Sequence, residues 1–173
     1  TIDTRTMKNL YQQGIPSNAI SVTSDTNYDA LALTIFNPND LMIVIAEEGK
    51  ELEVISRLSN AGFKNILGFL KGGIKSWITF QKPLIQLNLI GTDDAKEAAE
   101  NGFVLDVRTP EEFKNPGHVK SSINIPLEEL KDNLEKLDKS KKILVLCKSG
   151  IRATTGATIL LKYGFHKDLA VLE

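Results

Sequence analysis

The sequence is poor in the residues that cross-link or ligate small domains. Its 173 residues include one cysteine, Cys147, and two histidines. A single cysteine excludes an intramolecular disulfide, and one cysteine with two histidines cannot assemble a typical four-ligand structural zinc site. No apolar run approaches the roughly 20 residues needed to cross a bilayer. The sequence therefore predicts neither a disulfide scaffold, nor a zinc module, nor a membrane span.

An excess of charge of either sign is also absent. The chain carries 21 lysines and arginines against 22 aspartates and glutamates, so no basic face indicates nucleic-acid binding. The first residues, Thr1-Ile2-Asp3, lack the charged and then apolar pattern of a signal peptide. With 42% hydrophobic and 25% charged residues, the composition is that of an ordinary globular protein. We expect a cytoplasmic protein that binds no nucleic acid and no membrane.

The segment around Cys147 carries the strongest chemical signal. Four apolar residues, Ile143–Leu146, predict a buried and parallel strand, and a short loop leads from Cys147 to a helix that opens near Arg152. Amides at a helix N-terminus and a nearby guanidinium both favour the thiolate over the thiol. We therefore predict that Cys147 is a nucleophile. The alternative is an inert cysteine that packs as a small hydrophobe.

An internal repeat divides the chain. Ile2–Thr6 reappears as Leu105–Thr109, an offset of 103, and Gly14–Val22 aligns with Gly117–Ile125 at the same offset. A period near 100 residues indicates tandem domains rather than a solenoid. We predict two α/β domains, residues 1–82 and 83–173, with the first incomplete at its N-terminus and the second at its C-terminus.

Each copy alternates strands with short helices. Such alternation predicts a mainly parallel sheet flanked by helices on both faces, with ligands bound beyond the carboxyl ends of the strands. Helices are predicted at Met7–Gln13 and Glu51–Asn60 in the first copy and at Glu128–Leu137 in the second.

Three segments of the second copy resemble a known family. Cys147–Arg152, in which four residues separate cysteine from arginine, is similar to the active-site loop of rhodanese-type sulfurtransferases. Leu105–Phe113 and Gly117–Pro126 resemble two further segments of that family, in the same order, and Gly72–Trp77 resembles its closing segment. The resemblance implies tandem rhodanese domains. Such pairs also occur behind persulfide dioxygenase domains of the metallo-β-lactamase fold, so a fused or associated dioxygenase is a further expectation.

The resemblance implies sulfane-sulfur transfer through a Cys147 persulfide, from thiosulfate or a low-molecular-weight persulfide to a thiol or cyanide, without a metal or a cofactor. A six-residue ring from cysteine to arginine suits one sulfur atom, whereas related phosphatases use a loop one residue longer for phosphate. The expected substrate-binding residues are those of the loop: Lys148, Ser149, Gly150, Ile151 and Arg152. The expected supporting framework consists of Asp106, Arg108 and Glu112.

Several roles stay open at this stage. Arg152 either attracts an anionic donor or pairs with a carboxylate behind the loop, and Ser149 either donates to the sulfur or caps the helix. His118 is expected to be structural and His166 to lie on the surface. The competing functions are a non-catalytic binding or redox-sensing module and, disfavoured by the short loop, a phosphatase or arsenate reductase.

The first copy is expected to be inert. Ala46 stands where the second copy has Cys147, and Glu51 stands where it has Arg152. The loop from Ala46 to Glu51 carries three carboxylates, which repel an anionic substrate. The alternative is that this acidic loop binds a partner or a cation.

Overall fold

A computed structural model describes residues 1–165 and 169–172, and for residues 93, 94, 98, 99 and 101 it describes the backbone alone. The chain divides into two units, Thr1–Gln86 and Leu87–Glu173. This division lies four residues beyond the boundary that the repeat predicts between residues 82 and 83. The difference arises because Leu84–Ile85 pairs antiparallel with Ile15–Pro16 of the first unit.

The first unit is built on a parallel sheet. Its elements are β1 (Ile2–Asp3), α1 (Met7–Gln13), β2 (Ile15–Pro16), β3 (Ile20–Ser21), α2 (Tyr28–Ile35), β4 (Met42–Ile45), α3 (Glu51–Asn60), β5 (Ile66–Phe69), α4 (Gly73–Thr79) and β6 (Leu84–Ile85). The parallel strands lie in the order β3-β1-β4-β5. The helices predicted at Met7–Gln13 and Glu51–Asn60 are confirmed with the same bounds.

The second unit repeats this plan, with five strands in its parallel sheet instead of four. Its elements are β7 (Asn88–Ile90), α5 (Thr92–Asn101), β8 (Phe103–Asp106), α6 (Pro110–Lys114), β9 (Ile123–Asn124), a 3₁₀ helix (Leu127–Lys136), β10 (Ile143–Leu146), α7 (Ile151–Lys162) and β11 (Leu169–Leu172). The strand order is β7-β11-β10-β8-β9, and every pair is parallel.

Helices cover both faces of the second sheet. Ala95 of α5 packs with Val104, Leu144 and Leu146 on one face. Because successive residues of a strand point to opposite faces, Val145 lies on the other face, against which α7 packs. The predicted α/β class with parallel sheets and flanking helices is confirmed.

The segment predicted as a helix at Glu128–Leu137 takes a different form. It is a 3₁₀ helix over Leu127–Lys136, and Asn133 interrupts it with φ −127° and ψ 20°. The Asn133 side chain donates a hydrogen bond to the Glu129 carbonyl, 2.8 Å away, which competes with regular helical pairing. Leu127 and Leu130 are nevertheless buried, as the amphipathic pattern predicts.

Both units carry the same ion pair at the end of a strand. The Arg5 guanidinium bonds the Asp3 carboxylate, with Nη2 2.7 Å from Oδ2, and also donates to the Gly14 carbonyl. Arg108 repeats this arrangement with Asp106 at 2.6 Å and with the Gly117 carbonyl at 3.0 Å. The shared offset of 103 residues thus marks a shared strand-to-helix turn.

Candidate active site

Cys147 lies at the carboxyl edge of the second sheet. It follows β10, which pairs with β11 on one side and β8 on the other, so the cysteine stands at the centre of the edge. Its side chain is half-buried and forms no disulfide. The Sγ atom accepts a hydrogen bond from the Ala153 backbone amide at 3.3 Å. The sulfur of this partly buried residue is therefore in contact with the first turn of α7.

The loop after Cys147 turns back sharply at Gly150. This residue is the N-cap of α7 and has φ 73° and ψ −22°, the left-handed conformation that glycine adopts at least cost. The Gly150 carbonyl accepts bonds from both the Thr154 amide at 2.8 Å and the Thr154 hydroxyl at 2.9 Å. Ser149 is exposed and does not cap the helix, so the capping alternative for Ser149 is wrong.

Arg152 is held by a carboxylate. Its Nη1 lies 2.6 Å from Glu112 Oε2 and its Nη2 lies 2.8 Å from Glu112 Oε1, a bidentate pair. The Glu112 hydrogen bonds raise the pKa of Arg152, and nearby Cys147 acts in the same direction. The same bonds lower the pKa of Glu112 from its ordinary 4.5 to about 2. Arg152 therefore stays charged beside the loop with its two Nη atoms in a fixed orientation.

Helix α6 brings Glu112 to this position. Thr109 and Glu112 form a capping box, in which the Thr109 hydroxyl accepts from the Glu112 amide and the Glu112 carboxylate accepts from the Thr109 amide. Pro110 occupies the first turn, where its missing N–H is no loss. The carboxylate that fixes the helix start therefore also fixes Arg152.

The turn before α6 is fixed by Asp106 and Arg108. Besides their mutual pair, both residues offer their carbonyls to the Asn124 side-chain amide, at 3.0 and 2.8 Å. Asp106 is fully buried, and its hydrogen bond is the leading cause of the raised pKa of Arg108. These contacts tie together the turn that leads to Glu112, and the framework role of Asp106 and Arg108 stays a prediction.

The remaining predicted residues are distributed as follows. Lys148 is exposed, and Ile151 is half-buried at the start of α7. His118 is exposed, and its ring stacks on Phe113 with centroids 3.8 Å apart and a ring nitrogen 3.0 Å from the Phe113 carbonyl. These contacts fit the structural role expected for His118. His166 lies outside the described residues.

In the corresponding loop of the first unit, two glutamates are paired with other residues of that unit. Ala46 is buried, and the Glu47 carboxylate accepts bonds from the Thr6 amide at 2.9 Å and the Asn9 side chain at 2.8 Å. Glu48 pairs with Lys75 at 2.5 Å. A small cavity of about 220 Å³ adjoins this loop. Because two of the three carboxylates already have partners, the geometry favours a scaffold role over a cation site.

Two features of the site escape sequence reasoning. The first is the Ala153 amide, which donates a hydrogen bond to Sγ. It lies one residue beyond the loop, Lys148 to Arg152, whose amides are expected from the sequence to bind the sulfur. Its role becomes visible only when the structure shows that α7 begins at Ile151. Asn124, which ties Asp106 to Arg108, matches a family segment but has no role assigned from sequence. Among the described residues, no group of three or more potential metal ligands occurs, and no helix is long and apolar enough to cross a membrane.

Comparison with known proteins identifies the family. The sequence profile of the "Rhodanese-like domain" matches residues 1–79 and, a second time, residues 91–173. The chain belongs to the rhodanese-like domain family. The two matches lie one in each unit, so the rhodanese-like unit is the repeat found in the sequence.

Individual relatives of this rhodanese-like chain include sulfurtransferases. It is 34% identical over 88 residues to the thiosulfate sulfurtransferase PspE of Escherichia coli (strain K12), covering 50% of this chain and 81% of that protein. It is 33% identical over 76 residues, 44% of this chain, to the "Putative sulfur carrier protein YrkF" of Bacillus subtilis (strain 168), and spans 40% of that protein's length. A crystal structure of a rhodanese-related protein from Thermoplasma volcanium is 32% identical, with a TM-score of 0.45, and covers 50% of this chain and 83% of that one.

The Glu112–Arg152 pair generates a prediction about pH. Because the pKa of Glu112 is lowered on folding, the pair contributes stability above pH 4.5, and this contribution is lost as the pH falls towards about 2. We expect Glu112→Gln to unfold more easily than wild type in urea at pH 7, with a difference in free energy of unfolding that shrinks between pH 4.5 and 2.5. The control is Glu111→Gln, an exposed neighbour in the same helical turn. A difference that is constant down to pH 2.5 contradicts the role assigned to the pair.

Proposed function

We propose that this protein is a sulfurtransferase that carries sulfane sulfur on Cys147. The observation that supports this proposal most is the contact between Cys147 Sγ and the Ala153 amide at the start of α7. An amide at a helix N-terminus stabilises negative charge, and the thiolate is the form of cysteine that attacks sulfur. The donor is thiosulfate or a low-molecular-weight persulfide, and the acceptor is a thiol or cyanide.

The first half-reaction loads the cysteine. The Cys147 thiolate attacks the outer sulfur of thiosulfate, a bond forms between the two sulfurs, and sulfite leaves with the electron pair of the broken S–S bond. A persulfide donor reacts in the same way and releases its thiolate. The product in either case is a Cys147 persulfide whose negative charge lies on the outer sulfur, within reach of the amides of the loop.

The second half-reaction unloads it. A cyanide ion or a thiolate attacks the outer sulfur, so that thiocyanate or a new persulfide leaves and the Cys147 thiolate is regenerated. Charge balances in both steps without a proton transfer, because every attacking and leaving group is an anion. The cycle therefore needs no general base, which is consistent with the exposed, stacked position of His118.

The direct test is the intact mass of the protein before and after exposure to thiosulfate. We expect wild type to gain the mass of one sulfur atom, to lose it on adding cyanide, and to release thiocyanate in equal amount. The control is Cys147→Ser, which removes the nucleophile and keeps the loop, and it should gain nothing. No gain in wild type identifies a binding or redox-sensing module instead, and turnover of an aryl phosphate identifies a phosphatase.

Arg152 generates a second prediction. Arg152→Ala removes a charge next to the sulfur and also leaves the Glu112 carboxylate without its partner. Since a charge-assisted hydrogen bond contributes about 1.5–3 kcal/mol, we expect the KM for thiosulfate to rise about tenfold or more. The variant should still fold, but with a lower melting temperature than wild type, because the stabilising pair with Glu112 is lost.

A double variant separates the loss of the Arg152 charge from the exposure of an unpaired Glu112 carboxylate. In Arg152→Ala/Glu112→Gln the unpaired carboxylate is gone, so repulsion of the anionic donor by Glu112 is removed. We expect its KM to lie between those of wild type and Arg152→Ala. Kinetics of Arg152→Ala that equal those of wild type contradict the role of Arg152 in donor binding.

The association with a persulfide dioxygenase stays a prediction, and so does the cytoplasmic location. A persulfide dioxygenase partner consumes a low-molecular-weight persulfide, so a protein adapted to it should pass its sulfur to a low-molecular-weight thiol such as glutathione faster than to cyanide. Single-turnover unloading rates of the Cys147 persulfide with the two acceptors at equal concentration measure this preference.

A further inference from the structure

Gly156 lies in the middle of α7, where a glycine is least expected. Its backbone is helical, so no unusual φ requires glycine there, and glycine in a helix interior is destabilising relative to alanine. The reason is space. A Cβ atom on residue 156 would lie 3.3 Å from Val107 Cγ1, 3.5 Å from Val145 Cγ1 and 3.5 Å from Leu130 Cδ2. The contact with Val107 Cγ1 is tighter than most contacts of a real Cβ atom, so a side chain at residue 156 requires Val107 or α7 to shift by a few tenths of an ångström.

The atoms that Gly156 contacts belong to the segments that carry the site. Val145 lies on β10, two residues before Cys147, and Val107 lies between Asp106 and Arg108. Ala153, whose amide donates to Sγ, lies one helical turn before Gly156 on α7. The helix-to-sheet distance at Gly156 thus determines how far the Ala153 amide lies from the sulfur.

The first unit provides an internal comparison. Its helix α3 ends at Gly62-Phe63 as α7 ends at Gly164-Phe165, and counting back from these ends aligns Gly156 with Val54. Counting forward from Ala46 and Cys147 aligns Gly156 with Ile55 instead, because this part of the first copy is one residue shorter. Val54 is buried. In either alignment, the unit without a nucleophile has a β-branched side chain where the unit with Cys147 has none.

We infer that Gly156 is a positioning residue for the proposed reaction, because it lets α7 lie close enough to β10 for the Ala153 amide to reach Cys147. This inference rests on the proposed function for its catalytic meaning. The contact itself, and its effect on the reactivity of Cys147, can be measured without any sulfur donor.

The test compares wild type with Gly156→Ala, Val107→Ala and the double variant. The readouts are the rate of Cys147 alkylation by iodoacetamide from pH 5 to 9 and the melting temperature. In Gly156→Ala the added methyl displaces α7 by a few tenths of an ångström, so we expect roughly fivefold slower alkylation at pH 6 and a half-maximal rate at a higher pH. Alkylation at pH 9, where the thiolate forms regardless, should change much less.

The other two variants control for packing. Val107→Ala removes the nearest of the three contacting groups, and its alkylation rate should stay near that of wild type. In the double variant the new methyl of residue 156 no longer meets Val107 but still meets Leu130 and Val145. Its alkylation rate at pH 6 should therefore lie between those of Val107→Ala and Gly156→Ala. If Gly156→Ala does not fold, the double variant is compared with Val107→Ala, and slower alkylation in the double variant supports the inference.

The inference is overturned if Gly156→Ala folds and its alkylation rate depends on pH as in wild type. If Gly156→Ala does not fold, the inference is overturned by a double variant that is alkylated at the same rate as Val107→Ala. Failure of the proposed function is a separate result. Wild type that takes no sulfur from thiosulfate or glutathione persulfide rejects sulfur transfer, whereas the alkylation profiles still decide the role of Gly156.

Discussion

The hydrogen bond from the Ala153 amide to Cys147 Sγ is the interaction on which the site depends. It joins the end of the central strand β10 to the first turn of α7 across the loop. A helix N-terminus leaves its first amides without helical partners, and a sulfur anion placed there receives both a hydrogen bond and the favourable end of the helix dipole. The buried body of α7, from Ala153 to Leu161, holds those amides in place.

Two copies of one unit separate what the fold requires from what the chemistry requires. Both keep the aspartate–arginine pair and the carbonyl that the arginine contacts, so this framework belongs to the turn rather than to the reaction. The second unit alone has the cysteine and the Glu112–Arg152 pair. In the first unit Asn9, which takes the place of Glu112, binds Glu47 of its own loop. The first unit thus keeps the architecture, while a side chain of its loop is bound by a residue of the same unit.

Local patterns predict much of this fold, and contacts between distant segments account for the rest. Helix α1 and helix α3 follow from apolar spacing and from glycines near their ends, and the parallel sheets follow from the alternation of strands and helices. The partner of Arg152 lies 40 residues away in the chain, so the arginine's two possible roles stay open until the pair with Glu112 is seen. Gly156 likewise has no local signal, because its reason is the proximity of Val107, Leu130 and Val145. Apolar periodicity also does not register the 3₁₀ form of Leu127–Lys136 or the side-chain bond of Asn133 within it.

The most direct test of the central claim is the rate at which iodoacetamide alkylates Cys147 at pH 7 in the folded protein, with Cys147→Ser as the blank. Because the chain has one cysteine, the gain in mass reports on Cys147 alone. The account predicts that the folded protein is alkylated several-fold faster than the same chain unfolded in urea, because the thiolate is the reactive form of cysteine. A rate equal to or below that of the unfolded chain contradicts the claim that the helix N-terminus stabilises the sulfur anion.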